Sequence, residues 1–91
     1  MTSEPNYGTV LDGRESETRH VTPGRARVGD LHVSFDGWFV RGHEITEIEY
    51  LGKSSYRIKQ ASGTNGRPYT FRISSYDKIQ VLPRESVGEA A

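Results

Sequence analysis

Three histidines, at positions 20, 32 and 43, are the side chains of this chain best suited to proton transfer or metal binding. Their spacing matches no metal-ligand pattern, and Gly42-His43-Glu44 lacks the second histidine of a zinc-protease helix. The sequence contains no cysteine, which removes thiolate ligands and disulfides together. We therefore expect no metal site. His20 is expected in a solvated arm, His32 on an outward strand face and His43 at a turn.

Other catalytic arrangements are equally lacking. No serine lies in a Gly-x-Ser-x-Gly elbow, and residues 63–68 lack the lysine, the hydroxyl residue and the helix of a phosphate-binding loop. Glu47 and Glu49 could resemble a catalytic carboxylate pair, but basic residues predicted opposite them would keep both ionised. We predict no catalytic residue, no cofactor, no small-molecule substrate and no enzymatic activity.

The strongest structural signal is the run from residue 44 to residue 60, which predicts a β-hairpin folded about Gly52, Lys53 and Ser54. One side of this hairpin is apolar and the other pairs opposite charges, so the apolar side is expected to face a core. The predicted cross-strand pairs are Ile48 with Ile58, Tyr50 with Tyr56, Glu47 with Lys59 and Glu49 with Arg57.

A second hairpin is predicted around Asp36-Gly37, a strong signal for a two-residue turn. Apolar residues alternate with polar ones before this turn and resume directly after it. A tight turn opposes Phe35 to Trp38, which places Trp38 inward and Phe39 outward. Gly42 is then expected to break the strand.

Residues 61–68 are predicted to form a loop with its tip at Asn65-Gly66. A tight turn there opposes Ile58 to Ile73, whereas a looser loop shifts the register by two residues and keeps every side chain on the same face. Tyr50, Tyr56 and Phe71 are assigned to the core. Residues 74–78 are expected to form a short helical turn before a last strand at 79–82.

This order of short strands, with one helical turn before the closing strand, is similar to an SH3-like barrel. The run Ser74-Ser75-Tyr76-Asp77-Lys78-Ile79-Gln80-Val81-Leu82 carries most of that resemblance. The likeness implies an all-β fold, a small barrel of five or six strands. It does not extend to the peptide-binding site of SH3 domains, because Trp38 here follows an Asp-Gly turn. A small OB-like barrel is the competing interpretation.

The chain of 91 residues is long enough for one small domain. Sizeable apolar residues are sparse before residue 26 and after residue 83, so we predict a flexible N-terminal arm at 1–25, a barrel at 26–83 and a flexible tail at 84–91. No apolar run reaches the length of a membrane span or a signal-peptide core. We expect a cytoplasmic protein that does not bind membranes.

The net charge is zero, but the charges are unevenly distributed along the chain. Residues 26–52 contain two arginines and five acidic residues, whereas residues 53–78 contain six basic residues and one aspartate. The hairpins bring part of this positive charge onto one strand face. The candidate basic residues are Arg57, Lys59, Arg67 and Arg72, and the candidate aromatic residues for a protein interaction are Trp38, Phe39, Tyr69 and Tyr76.

Two function classes follow from these features. The first is a non-enzymatic protein-interaction module or regulatory accessory protein that uses the aromatic residues or a strand edge to bind a protein partner or a second copy of itself. The second is a nucleic-acid-binding regulator that uses the basic residues. We favour the first, and the small size is typical of accessory proteins of a phage, plasmid or bacterial operon.

Overall fold

The regular secondary structure is almost entirely β-strand, in a computed structural model that describes residues 6–35 and 37–84. One 3-10 turn, Glu15–Glu17, lies between the first two strands. The strands in chain order are β1 (Thr9–Val10), β2 (Arg19–Val21), β3 (Leu31–Phe35), β4 (Val40–Gly52), β5 (Ser55–Gln60), β6 (Tyr69–Ser74) and β7 (Ile79–Leu82).

All seven strands belong to one antiparallel sheet with the order β2-β7-β3-β4-β5-β6, and β1 pairs with β4 beside this path. Within the described residues β2 and β6 are the ends of the path and do not pair with each other. The all-β prediction is confirmed. The closed barrel is not, since the sheet stays open between β2 and β6.

The 13-residue strand β4 connects the two halves of the sheet. Its first part pairs with β3 and β1, and its second part pairs with β5. A bulge between Ile45 and Glu47 marks the change. There the backbone of Ile45 bonds to Gly29 and Asp30 at 2.9 Å each, while the carbonyl of Glu44 accepts from Ala61 at 2.8 Å. β4 therefore bonds along both edges at the bulge.

Two apolar clusters lie on the two faces of this sheet, because successive side chains of a strand point to opposite faces. Strands from both ends of the sheet contribute to the larger one, so the sheet curls around it. We call this the inner cluster; its buried members are Ala26, Ile45, Ile58, Ile79 and Val81. The second cluster consists of Leu11, Leu31 and Leu82.

The segment predicted as a flexible arm contains two of the strands. β1 pairs with β4, β2 pairs with β7, and Leu11 between them is fully buried. Arg14 and Glu17 form an ion pair at 2.9 Å, and this hydrogen bond from Arg14 lowers the pKa of the Glu17 carboxyl. The paired sheet thus begins before residue 26. Residues 1–5 and 85–91, which include most of the predicted tail, lie outside the described part of the chain.

Gly42 continues β4, although the sequence analysis expected it to break the strand. A Cβ at this position would lie 2.8 Å from Leu31 Cβ and 3.0 Å from Leu11 Cδ1. The absence of a side chain therefore lets the second cluster pack against the backbone of β4. Tertiary packing outweighs the weak strand propensity of glycine here.

The β4–β5 hairpin has the predicted register at all four charged and apolar pairs. Its turn is tighter than expected, because Gly52 pairs with Ser55 and the extra residue forms a bulge after Tyr50. The apolar side of this hairpin reaches the core only near Ile58, which is fully buried. Tyr50, which was assigned to the core, is 60% exposed. The two tyrosine rings of this hairpin remain in contact at 5.1 Å.

Two further expectations concern the last strands. β5 and β6 adopt the looser of the two registers, with Ile58 opposite Phe71 and Arg57 opposite Arg72. The predicted helical turn after β6 is a hydrogen-bonded turn instead, in which the amide of Asp77 donates to the carbonyl of Ser74 at 3.2 Å. In residues 6–35 and 37–84 no helix has the length and apolar character needed to cross a membrane.

The β4–β5 turn provides a test of this geometry. Lys53 and Ser54 both have positive φ, at 51° and 59°, a region that is costly for residues with a Cβ. We expect Ser54→Gly to raise the free energy of unfolding by about 0.5–1 kcal/mol, measured by urea titration and circular dichroism. Ser54→Ala, which keeps the Cβ, should leave stability unchanged. A destabilising Ser54→Gly change would contradict the left-handed turn.

Candidate functional site

Three aromatic side chains cluster around the β3–β4 connection, and we call them the aromatic tip: Phe35, Trp38 and Phe39. Phe35 is 68% exposed, Trp38 86% and Phe39 43%. Phe35 ends β3, and the other two lie in the loop before Val40. The guanidinium carbon of Arg41 lies 5.3 Å from the centroid of the Phe39 ring, within cation–π range. None of the three belongs to either apolar cluster.

The aromatic tip results from a register that the sequence analysis did not predict. Phe35 pairs with Val40 rather than with Trp38, so the connection is a four-residue loop and not a two-residue turn. The predicted inward position of Trp38 is therefore wrong. Phe39 is exposed, in agreement with its predicted outward position. Asp36, which was expected to open the turn, lies outside the described residues.

The basic candidates lie on the outer face of β5 and β6, and we call Arg57, Lys59 and Arg72 the basic face. Arg57 and Arg72 are directly opposite each other, and Lys59 is opposite Thr70. Two acidic residues of β4 lie beside these basic residues on the same face of the sheet. Glu49 is opposite Arg57 and forms an ion pair with it, and Glu47 is opposite Lys59. The basic face therefore has mixed charge, with three basic groups beside two carboxylates.

The remaining sequence candidates do not join the basic face. Arg67 is exposed in the loop before β6, where its amide donates to the Asn65 side chain at 3.0 Å. Tyr69 points to the other face of the sheet and stacks on Phe71, with ring centroids 5.8 Å apart. Tyr76 is 79% exposed in the turn after β6. The combination of phosphate contacts and stacking rings that single-strand binders use is thus not assembled on this face.

A buried polar network connects β3, β4 and the loop after β5, and the sequence analysis missed it. His43 is 1% exposed, and its ring nitrogens lie 2.8 Å from Ser34 Oγ and 3.1 Å from Ser62 Oγ. The side-chain amide of Gln60 donates to the Ser62 carbonyl at 2.5 Å. His32 lies 2.9 Å from the Gln60 side-chain oxygen and 5.1 Å from the ring centroid of Phe71.

This network corrects the predicted positions of two histidines. His43 lies inside β4 rather than at a turn, and His32 is partly buried against Phe71 rather than on an outward strand face. A serine next to a histidine resembles a nucleophile with its base, but His43 has almost no exposed surface through which a substrate could reach it. Within residues 6–35 and 37–84 no group of three or more metal-ligating side chains occurs, and every buried side-chain polar atom has a partner. The network is a structural element that satisfies polar groups in the core.

Comparisons with known proteins add no assignment: no protein-family model, no curated protein and no solved structure matches this chain. The candidate surfaces therefore rest on the geometry of this chain alone.

The buried network leads to a stability prediction. Ser62→Ala removes the hydroxyl beside His43 at a position that is 1% exposed, where water cannot readily replace it. We expect a decrease of about 1–3 kcal/mol in the free energy of unfolding, measured by circular dichroism in urea. Thr64→Ala, in the exposed part of the same loop, is the control and should change stability by less than about 0.5 kcal/mol. Equal stability of both variants would show that the network contributes little.

Proposed function

We propose that this protein is a non-enzymatic interaction module that binds a protein partner through the aromatic tip. The observation that carries the proposal is the exposure of Trp38, 86%, beside Phe35 at 68%. Large exposed apolar patches on soluble proteins commonly mark interaction sites. Tryptophan is also among the residues that contribute most binding free energy at protein interfaces.

The way in which the aromatic tip is held supports this proposal. Phe35 is fixed by its pairing with Val40, and Val40 packs against the second cluster. The tip thus extends from a hairpin whose base is anchored in the core, while its own side chains contribute little to that core. A surface of this kind can be replaced without unfolding the protein.

The test uses Trp38 as its own probe, because it is the only tryptophan of the chain. We expect Phe35→Ser/Trp38→Ser to fold normally and to bind a purified partner, first recovered with the wild-type chain, about 30-fold more weakly or worse. Tyr76→Ser removes an aromatic residue that is 79% exposed elsewhere and should bind normally. In the wild-type complex the Trp38 emission should shift to shorter wavelength and resist iodide quenching.

Several results would contradict the proposal. Unchanged partner affinity of the double serine variant would exclude the tip as the interface. Loss of the fold in that variant, seen by circular dichroism, would show that the tip is structural. Sedimentation of the wild-type and variant chains distinguishes a second copy of the chain from a different partner, because only self-association changes the mass of the isolated protein.

A nucleic-acid-binding regulator is the second candidate, and one observation favours it. Arg57 and Arg72 are directly opposite each other on exposed strand positions, an arrangement that costs stability because like charges repel. A phosphate between them would offset that repulsion. Glu47 and Glu49, which lie opposite Lys59 and Arg57, reduce the positive potential of the basic face, so this candidate function stands second.

Salt dependence tests the second candidate. If the basic face binds phosphates, Arg57→Ala/Arg72→Ala should weaken oligonucleotide binding and lower the slope of log affinity against log salt by about 1 for each arginine–phosphate pair removed. Fluorescence anisotropy with single- and double-stranded oligonucleotides measures both quantities. The double variant Thr46→Ala/Thr70→Ala, in the same sheet region without a charge change, is the control. An unchanged slope would exclude the basic face.

The antiparallel hairpins and the turn before β7 support an SH3-like relationship in which the barrel has opened between β2 and β6. The burial of His43, the histidine that contacts two serine hydroxyls, supports a role without catalysis. A regulatory or accessory role and a cytoplasmic location complete the proposal.

A further inference from the structure

A groove lined by arginines lies between β2 and the loop that leads to β3, and we call it the arginine groove. It has a volume of about 530 Å³ and is open to solvent. Its basic lining residues are Arg19, Arg25 and Arg27. Its lining also contains apolar residues, which we call its floor: Val21, Ala26, Val81 and Pro83. Nothing in the sequence analysis assigned a role to these arginines, because two of them fall in the predicted flexible arm.

Two consecutive turns set the positions of Arg25 and Arg27. The amide of Arg25 donates to the carbonyl of Thr22 at 2.9 Å, with Pro23 and Gly24 at the centre of that turn. The amide of Asp30 donates to the carbonyl of Arg27 at 3.0 Å, and the Asp30 carboxylate accepts from the Arg27 amide at 2.9 Å. The loop therefore has a fixed backbone, which is the preorganisation that a binding site requires.

The arginine groove has an excess of positive charge. Among the described residues that line it, Asp30 is the one acidic residue; it is 5% exposed, and its two carboxylate oxygens accept from the backbone amides of Arg27 and Arg84 at 2.9 Å each. Arg19 and Arg25 are exposed, and neither forms an ion pair within residues 6–35 and 37–84. Guanidinium groups bind carboxylates in paired, planar geometry. The groove therefore favours an anionic ligand.

β2, which contributes Arg19 and Val21 to the lining of the groove, also has a free strand edge. β2 is the terminal strand of the sheet path and pairs with β7 only, so its backbone groups on the side away from β7 have no strand partner in the described chain. An exposed edge of this kind accepts an added strand from a peptide. β2 has three residues, so backbone pairing alone is short and side-chain contacts must supply much of the affinity.

The lining distinguishes a peptide from a nucleic acid. Single-strand binders stack bases on aromatic rings, and no aromatic residue is among the nine described residues that line the groove. The apolar floor instead suits the aliphatic side chain of an extended peptide, whose neighbouring residues point the other way. A peptide in which apolar and acidic residues alternate would place its apolar side chains on the uncharged floor and its carboxylates beside the arginines.

We propose that the arginine groove binds an extended acidic peptide segment of a protein partner, which adds to the edge of β2 and places its carboxylates against Arg19 and Arg25. Arg27 lies beside the same anionic groups. This site is separate from the aromatic tip, and the inference does not depend on the function proposed for the tip. It gives the chain a second surface with a defined ligand chemistry.

The probe is a synthetic peptide, acetyl-Glu-Val-Glu-Val-Glu-Val-amide, titrated into the full chain and followed by amide-resolved NMR. We expect saturable shifts at residues 19–21 and 24–27, together with slower hydrogen exchange at β2 amides that have no partner in the free protein. Arg19→Gln/Arg25→Gln should weaken binding about tenfold or more, because it replaces two charged hydrogen-bond donors by neutral amides. Both arginines are exposed, so the variant should keep the wild-type spectrum elsewhere.

Matched controls separate the outcomes. Arg57→Gln/Arg72→Gln removes two exposed arginines from the basic face and should leave peptide binding unchanged, as should Phe35→Ser/Trp38→Ser. The same peptide with lysine at each glutamate should not bind. Equal binding by Arg19→Gln/Arg25→Gln, shifts located away from β2, or tighter binding of a ten-nucleotide oligothymidylate at the same amides would each overturn the proposal.

Discussion

The whole structure depends on one shared strand, β4, which must pair along both of its edges. Its first part lies between β3 and β1, and its second part pairs with β5. The bulge between Ile45 and Glu47 allows this change, because one extra residue bends the strand and alters its pairing. Buried groups from β4 then enter both the inner cluster, through Ile45, and the polar network, through His43. A change in β4 would therefore affect the core and the aromatic tip together.

The parts of the fold that could be predicted are those decided by neighbouring residues. The β4–β5 register follows from side-chain pairs that are close in the chain and agree on both faces. The β3–β4 register does not, although Asp36-Gly37 is a strong local turn signal. In the observed β3–β4 register Val33 lies opposite Gly42. Leu11, which follows β1 on the other edge of β4, packs over the same glycine. This contact joins distant parts of the chain, and it outweighs the local preference for a tight turn.

The same distinction applies to the candidate sites. The basic face could be predicted from strand alternation, because it depends only on which face each side chain takes. Phe39 is exposed as predicted, but it lies in the loop before β4 and not in the strand from which its outward position was predicted. The arginine groove could not be predicted, since it forms where β2 meets β7, 58 or more residues later in the chain. The sparse apolar residues before position 26 predicted a flexible arm, whereas Leu11 is a buried member of the second cluster and Val21 packs against the inner cluster. A few apolar residues are enough to hold a segment in place when the sheet already offers it a partner strand.

The balance between buried and exposed apolar residues gives the strongest reason to expect a binding role. In the described part of the chain eight apolar residues are buried, whereas nine large hydrophobic ones are exposed. A small domain gains its stability from buried apolar area, so leaving Trp38 and Phe35 in water forgoes stabilisation that a core of this size needs. Phe35 ends β3 and Trp38 lies in the four-residue loop after it, and neither side chain belongs to either cluster. A partner that covers the aromatic tip would supply the burial that the isolated chain lacks, and it would stabilise the bound protein by mass action.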